Sequence, residues 1–222
     1  MKIKDFIKEA SEKGYGITFV DIDETLFRTF AKIKVWKGGK LIKELTNQEY
    51  NNYKLKEGES FDFGEFKSAD LFSRTSIPIP KTITMVKKML AAIKEGGLKS
   101  KIIFLTARGD FDNKKLFLAT FKKYGIDVDS AYVERAGNLK YGTTADKKKW
   151  VIMKYLKSGD FRRVRMYDDD ITNLKYFLTI ENELPNKILN KVRKKYDIPE
   201  NEEPIKFYAY HVKHNGSTKK FE

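Results

Sequence analysis

The sequence predicts an α/β protein of three layers, a parallel sheet with helices on both faces, carrying a small insertion early in the chain. Three observations predict it. Short apolar segments alternate with amphipathic ones from Ile17 to Val212. The segment Lys101–Leu105 is a continuous apolar run, the pattern of a strand covered on both sides. Glycines at 96, 97, 125 and 159 punctuate the ends of the helical segments.

The elements follow in order. Ile17–Val20 reads as a short buried strand. Lys81–Lys94 reads as a helix, because Ile83, Val86, Leu90 and Ile93 recur at spacings of three and four. After the strand at Lys101–Leu105, Phe111–Tyr124 is a Lys-rich amphipathic helix that Gly125 stops, and Ala131–Val133 is a short strand. Thr144 or Asp146 caps a helix running to Lys157. Val164–Tyr167 is a strand, Ile171–Ile180 a helix, and Pro185–Tyr196 a second helix with proline in its first turn. Ile205–Val212 is the last strand expected. Strands separated by helices make repeated βαβ units, hence a Rossmann-like sheet. Residues 1–29 and 76–222 are expected to form this core and residues 30–75 an insertion.

Composition narrows the chemistry. The chain of 222 residues has no cysteine, which excludes a disulfide scaffold, a thiolate metal site and a cysteine nucleophile. Its two histidines, His211 and His214, lie together near the end and read as surface residues rather than ligands. An apolar fraction of 41% supports a globular core. No apolar run reaches the length of a membrane span. The first ten residues alternate charged with apolar side chains, unlike a signal peptide, so a cytoplasmic, non-membrane protein is expected. The net charge of +14 points to an anionic partner, a phosphorylated small molecule or a nucleic acid. Against a dedicated nucleic-acid surface, 37 of the 45 basic residues are lysine, where such surfaces favour arginine.

Ligands of a parallel sheet bind beyond the carboxyl ends of its strands. The first strand is followed by Asp21-Ile22-Asp23-Glu24-Thr25, the second by Thr106-Ala107-Arg108, and the fourth by Asp168-Asp169-Asp170. Lys147, Lys148 and Lys149 stand on the helix before that fourth strand. Carboxylates delivered to one rim repel each other, and a divalent cation relieves the repulsion; an all-oxygen set selects Mg²⁺. An ammonium and a hydroxyl beside them suit the transfer of a phosphoryl group to an aspartate nucleophile.

These motifs resemble those of the haloacid dehalogenase-like phosphohydrolases over about residues 15–180. Asp21-Ile22-Asp23-Glu24-Thr25 is similar to the first motif of that superfamily, Phe104-Leu105-Thr106 to the second, Lys147 or Lys148 to the third, and Asp168-Asp169 with Asn173 to the fourth. The resemblance implies a HAD-like fold and assigns roles. Asp21 attacks phosphorus. Asp23 protonates the leaving oxygen and then activates water. Thr106 and Thr25 hold the phosphoryl group, a lysine balances charge, and Asp21, Asp168, Asp169 and the Asp23 carbonyl hold Mg²⁺. An aspartate at position 23 favours phosphate chemistry over dehalogenation. Glu24 stands where many members carry glycine. Lys148 is preferred to Lys147 because it shares a helical stripe with Ile152 and Tyr155; Lys140 is a more distant choice, and Lys149 is expected to face solvent.

The insertion reads as a β-hairpin, Lys32–Trp36 and Leu41–Leu45 about Gly38-Gly39, followed by an irregular aromatic arm. The aromatics either stack bases or pack the arm onto the core. Arg108 either clamps a substrate phosphate or pairs with Asp110 or Asp112. The expected function is therefore a Mg²⁺-dependent phosphatase acting on a nucleotide or a polynucleotide end. The alternatives are a phosphatase of phosphoproteins or sugar phosphates, and a binding protein that has lost catalysis. A signalling receiver domain uses similar residues in a different chain order.

Overall fold

The computed structural model describes residues 14–96 and 99–222. The expectations for the N-terminal segment and for Gly97 as a helix stop lie outside those residues. Five strands form a parallel sheet: β1 (Tyr15–Val20), β7 (Lys101–Thr106), β8 (Tyr132–Arg135), β9 (Phe161–Asp168) and β10 (Lys206–Val212). A sixth, β11 (Thr218–Phe221), adds antiparallel to β10, giving the order β11-β10-β9-β1-β7-β8. The chain moves outward from β1 through β7 to β8, then returns to the other side of β1 for β9 and β10. This reversal makes the carboxyl ends of β1 and β9 the switch point where such sheets hold ligands.

Alternation along the strands feeds two cores. On one face Ile17, Phe19, Val164 and Met166 meet Ile152, Leu156, Leu174 and Phe177 from the helices at Thr144–Leu156 and Ile171–Glu183. On the other, Val20, Ile102, Phe104 and Tyr167 meet Val86 and Leu90 of the helix at Pro80–Glu95 and Phe117 and Phe121 of the helix at Lys114–Lys123. Each fully buried apolar side chain contributes roughly 1.5–3 kcal/mol, so both faces fix the sheet and with it the rim. No helix among the described residues is long and apolar enough to cross a membrane.

The insertion leaves and rejoins the core through a two-stranded ribbon, β2 (Phe27–Arg28) with β6 (Ile77–Pro78). The expected hairpin is present as β3 (Ile33–Lys37) and β4 (Lys40–Leu45). Gly38 and Gly39 both have positive φ (54° and 75°), which a two-residue turn of this kind requires. The arm is more regular than expected. It supplies a third strand, β5 (Glu59–Asp62), and short helices at Asn47–Asn52, Gly64–Lys67 and Ala69–Thr75. Most of its aromatics pack inward, Phe63 being exposed. Tyr50, Tyr53, Phe61 and Phe66 sit on Ile33, Val35 and Leu45, while Phe72 is buried in the main core against Phe27 and Phe117.

Several boundaries differ from the expectations, each for a local reason. The helix expected from Phe111 begins at Lys114, because the Asn113 side chain accepts the Leu116 N–H. Thr143, rather than Thr144 or Asp146, caps the next helix, and Asp146 returns a bond to the Thr143 N–H as a capping box. Pro185 sits just before its helix, not within the first turn. Strand β9 begins at Phe161; Arg162, Arg163 and Arg165 break the apolar pattern, yet all three are buried. Strand β10 is not the last, since a turn at Gly216 (φ 75°) returns the chain as β11.

Candidate active site

The loop after β1 turns back on itself. The N–H groups of Leu26 and Phe27 both donate to the Ile22 carbonyl at 3.0 Å, and the Glu24 N–H donates to the Phe27 carbonyl at 2.7 Å. Glu24 takes a left-handed conformation (φ 56°). That conformation is easiest for glycine, so the position where the resemblance expects glycine is one where the backbone calls for it. The Glu24 carboxylate compensates by accepting the Thr29 N–H at 2.9 Å. Ile22, Leu26 and Phe27 anchor the loop in the core. The turn sends the carboxylates of Asp21 and Asp23 into two different environments.

Asp21 joins a cluster built from three parts of the chain. Its backbone N–H donates to the Tyr167 carbonyl on β9, locking the two strand ends together. Carboxylate oxygens of Asp21, Asp168 and Asp169 lie within 4.8 Å of one another. Lys148 Nζ donates to Asp21 Oδ1 and to Asp168 Oδ2, each at 2.7 Å, and its side chain is 3% exposed. Asp168 also accepts from the Asp170 N–H and from Asn173 Nδ2 in the first turn of the following helix. Thr25 Oγ1 donates to Asp169 at 3.3 Å.

The electrostatics follow from burial and crowding. Burial pushes the Asp21 carboxyl well above the usual carboxylate range; Lys148 opposes this, while Asp168, Asp169 and Asp23 reinforce it. Burial, reinforced by Asp168, pushes Asp169 up to about 7. Burial disfavours the charged form of Lys148, but Asp168 and Asp21 outweigh it and hold the ammonium protonated. Three carboxylates face one ammonium, leaving two negative charges uncompensated when all are ionised. This oxygen-only donor set therefore fits a divalent cation such as Mg²⁺. No histidine belongs to the cluster. His211 is half-buried and registers opposite Asp168 on β10, and His214 is exposed.

Asp23 lies in the second environment. Its Oδ1 accepts from Arg108 Nη2 at 2.6 Å and from Thr29 Oγ1 at 2.8 Å. Its Oδ2 accepts from Arg108 Nε at 3.1 Å and from Thr106 Oγ1 at 3.3 Å. Burial would raise its pKa, but the Arg108 guanidinium outweighs that and holds it below the usual value. Neither local partner expected for Arg108 is used. Asp110 pairs with Arg135 at 2.7 Å, and Asp112 accepts the Ala69 N–H at 2.9 Å.

The three lysines diverge. Lys148 enters the site, Lys147 is half-buried on the same helix, and Lys149 reaches Thr179 and Glu183 on the neighbouring helix. Lys140 is exposed. Sequence reasoning missed Thr29 and the grouping of Phe66, Phe72 and Phe111 around Arg108, since Thr29 belongs to no motif and the rings come from two separate segments, the insertion and the loop after β7. No protein-family model matches the chain, and no curated protein matches it.

Proposed function

We propose that this protein is a Mg²⁺-dependent phosphohydrolase of the haloacid dehalogenase-like type, cleaving a phosphate monoester through an aspartyl phosphate. The observation that carries the reading is the bridging of Asp21 and Asp168 by buried Lys148, with Asp169 alongside, at the switch point of the sheet. Asp21, Asp168 and Asp169 would hold the cation, which when bound draws phosphoryl oxygens to the rim and offsets charge in the transition state.

The residues divide the work in two steps. The carboxylate oxygen of Asp21 that Lys148 does not hold attacks phosphorus, and the bond to the leaving oxygen breaks. Asp23 gives that oxygen a proton that it takes up as the substrate phosphate enters beside it, since in the free site the Arg108 contact favours the ionised carboxylate. Asp23 then takes a proton from water as the water oxygen attacks phosphorus, releasing phosphate and restoring Asp21. Lys148 keeps Asp21 oriented throughout and balances negative charge. Thr106 Oγ1, already at the inner edge of Asp23, is placed to donate to a phosphoryl oxygen. The +14 charge supports a nucleotide or a phosphorylated polynucleotide end as substrate.

The test is hydrolysis of p-nitrophenyl phosphate with Mg²⁺, followed by a panel of nucleotides, sugar phosphates, phosphopeptides and 3′- or 5′-phosphorylated oligonucleotides. Wild type is expected to turn over at least one, with Asp21→Asn at background. Absence of turnover across the whole panel, or turnover that Asp21→Asn retains, overturns the reading.

A further inference from the structure

Arg108 is more deeply embedded than a substrate-binding arginine needs to be. Its side chain is 2% exposed. All three guanidinium nitrogens are engaged, Nε and Nη2 with Asp23 and Nη1 with the Phe66 carbonyl at 3.1 Å. Three rings surround its Cζ, with centroids at 4.6 Å (Phe66), 5.3 Å (Phe72) and 5.6 Å (Phe111). Two of those rings and the carbonyl come from the insertion, while Arg108 and Phe111 belong to the loop after β7. A planar guanidinium in such a box has one orientation open to it, and a forked contact passes that orientation to its carboxylate. Cation–π attraction is strongest where water is excluded, as here.

We propose that Arg108 is a positioning residue that acts through Asp23: the aromatic box formed by the insertion and the loop after β7 fixes the guanidinium, and the guanidinium fixes the carboxylate that serves the leaving group. This rests on the phosphohydrolase reading. It makes the insertion part of the catalytic apparatus even though it places no side chain among Asp21, Asp168 and Asp169. It also turns the fork of Arg108 toward Asp23 rather than toward a substrate phosphate, with each of the three nitrogens already engaged and the side chain 2% exposed.

Leaving-group dependence separates this role from a structural one. Proton donation matters for a poor leaving group such as phenoxide and little for 2,4-dinitrophenoxide. General acid–base groups contribute about 10²–10⁴-fold, so Asp23→Asn is expected to lower kcat/KM for phenyl phosphate by about 100-fold or more, and far less for the dinitrophenyl ester. Arg108→Met is expected to skew the same way, with a loss at least about 10-fold larger for phenyl phosphate. Added to Asp23→Asn, it should change that ratio no further. If Arg108→Met does not accumulate as folded protein, Phe66→Leu removes one wall of the box, keeps the backbone carbonyl, and should give a smaller skew of the same sign. Equal losses on both esters, or a further change in the ratio in the double variant, overturn the positioning role while leaving the phosphohydrolase reading intact. Absence of Asp21-dependent turnover in wild type overturns both.

Discussion

Two ionic clusters grow from one loop, and they are built oppositely. Around Asp21, three carboxylates share a single ammonium, and Asp21 and Asp169 resist ionisation. Around Asp23, one carboxylate meets a guanidinium and two hydroxyls, and ionisation is favoured. Burial is common to both, so the difference lies in the count of charges. The first cluster is short of positive charge and suited to receive a cation. The second is balanced within the chain and suited to hold one carboxylate still.

Removing the central cation of the first cluster should break the contrast most completely. In Lys148→Met two carboxylates lose their ammonium without gaining water. Removing one partner of a buried ion pair costs about 3–5 kcal/mol, and activity should fall to background because Asp21 loses its orientation. Denaturant unfolding measures the first effect and phosphatase assay the second. A variant as stable as wild type would mean that the Lys148 ammonium offsets no buried negative charge on Asp21 and Asp168.

The pH dependence of stability sharpens the same contrast. Asp169 has its ordinary value near 3.8 in the unfolded chain and about 7 when folded. Between those values the folded protein holds a proton that the unfolded chain has released. Raising the pH across this window therefore lowers stability, and burial of Asp21 acts in the same direction. Asp23 is displaced downward; its contribution is present above the unfolded value and is lost on acidification below it. In a chelating buffer the unfolding free energy should decline as the pH rises from about 4 through about 7. Excess Mg²⁺ should remove the decline, because a cation bound only by the folded state stabilises it by about 2.7 kcal/mol at a hundred times its dissociation constant. Urea titrations at several pH values check both. Metal-free stability that rises across that window, or a profile that Mg²⁺ leaves unchanged, would contradict the assignment of the first cluster.

How much of this was legible in the sequence differs between the clusters. Asp21, Asp168 and Asp169 announce themselves because each follows an apolar strand, and parallel strands bring their carboxyl ends to one rim. Lys148 was separable from Lys147 because helical spacing placed it above Ile152, which is fully buried. In the second cluster Asp23, Thr106 and Arg108 stand out as strand-end residues, but their pairing with one another and with Thr29 was opaque. The partner of Arg108 lies 85 residues away, whereas Asp110 and Asp112 are near in sequence but occupied by Arg135 and the Ala69 N–H. In the fold, β9 was shortened by its arginines because composition alone does not reveal that Glu202 pairs with Arg162, or that Arg165 lies over the Tyr208 ring. Strand β11 was missed because Lys219 and Lys220 give an edge strand no apolar alternation to read.

The smallest expected effect comes from the residue next to the largest. Lys149 differs from Lys148 by one position, about a hundred degrees around the helix, and makes an equally short list of contacts, to Thr179 and Glu183. Its partner Glu183 is 49% exposed, however, so water already solvates the carboxylate and competes with the ammonium. Pairs of this kind contribute about 0–1 kcal/mol. Lys149→Ala should therefore shift stability by no more than about 1 kcal/mol, leave kcat and KM unchanged, and lose part of even that shift in high salt. The pair of variants, assayed side by side, sets a buried ammonium between two carboxylates against a neighbour on the same helix whose single carboxylate partner is solvated. A loss of activity in Lys149→Ala comparable to that in Lys148→Met would show that the ammonium at position 148 owes its effect to the charge of the helix as a whole rather than to its place between Asp21 and Asp168.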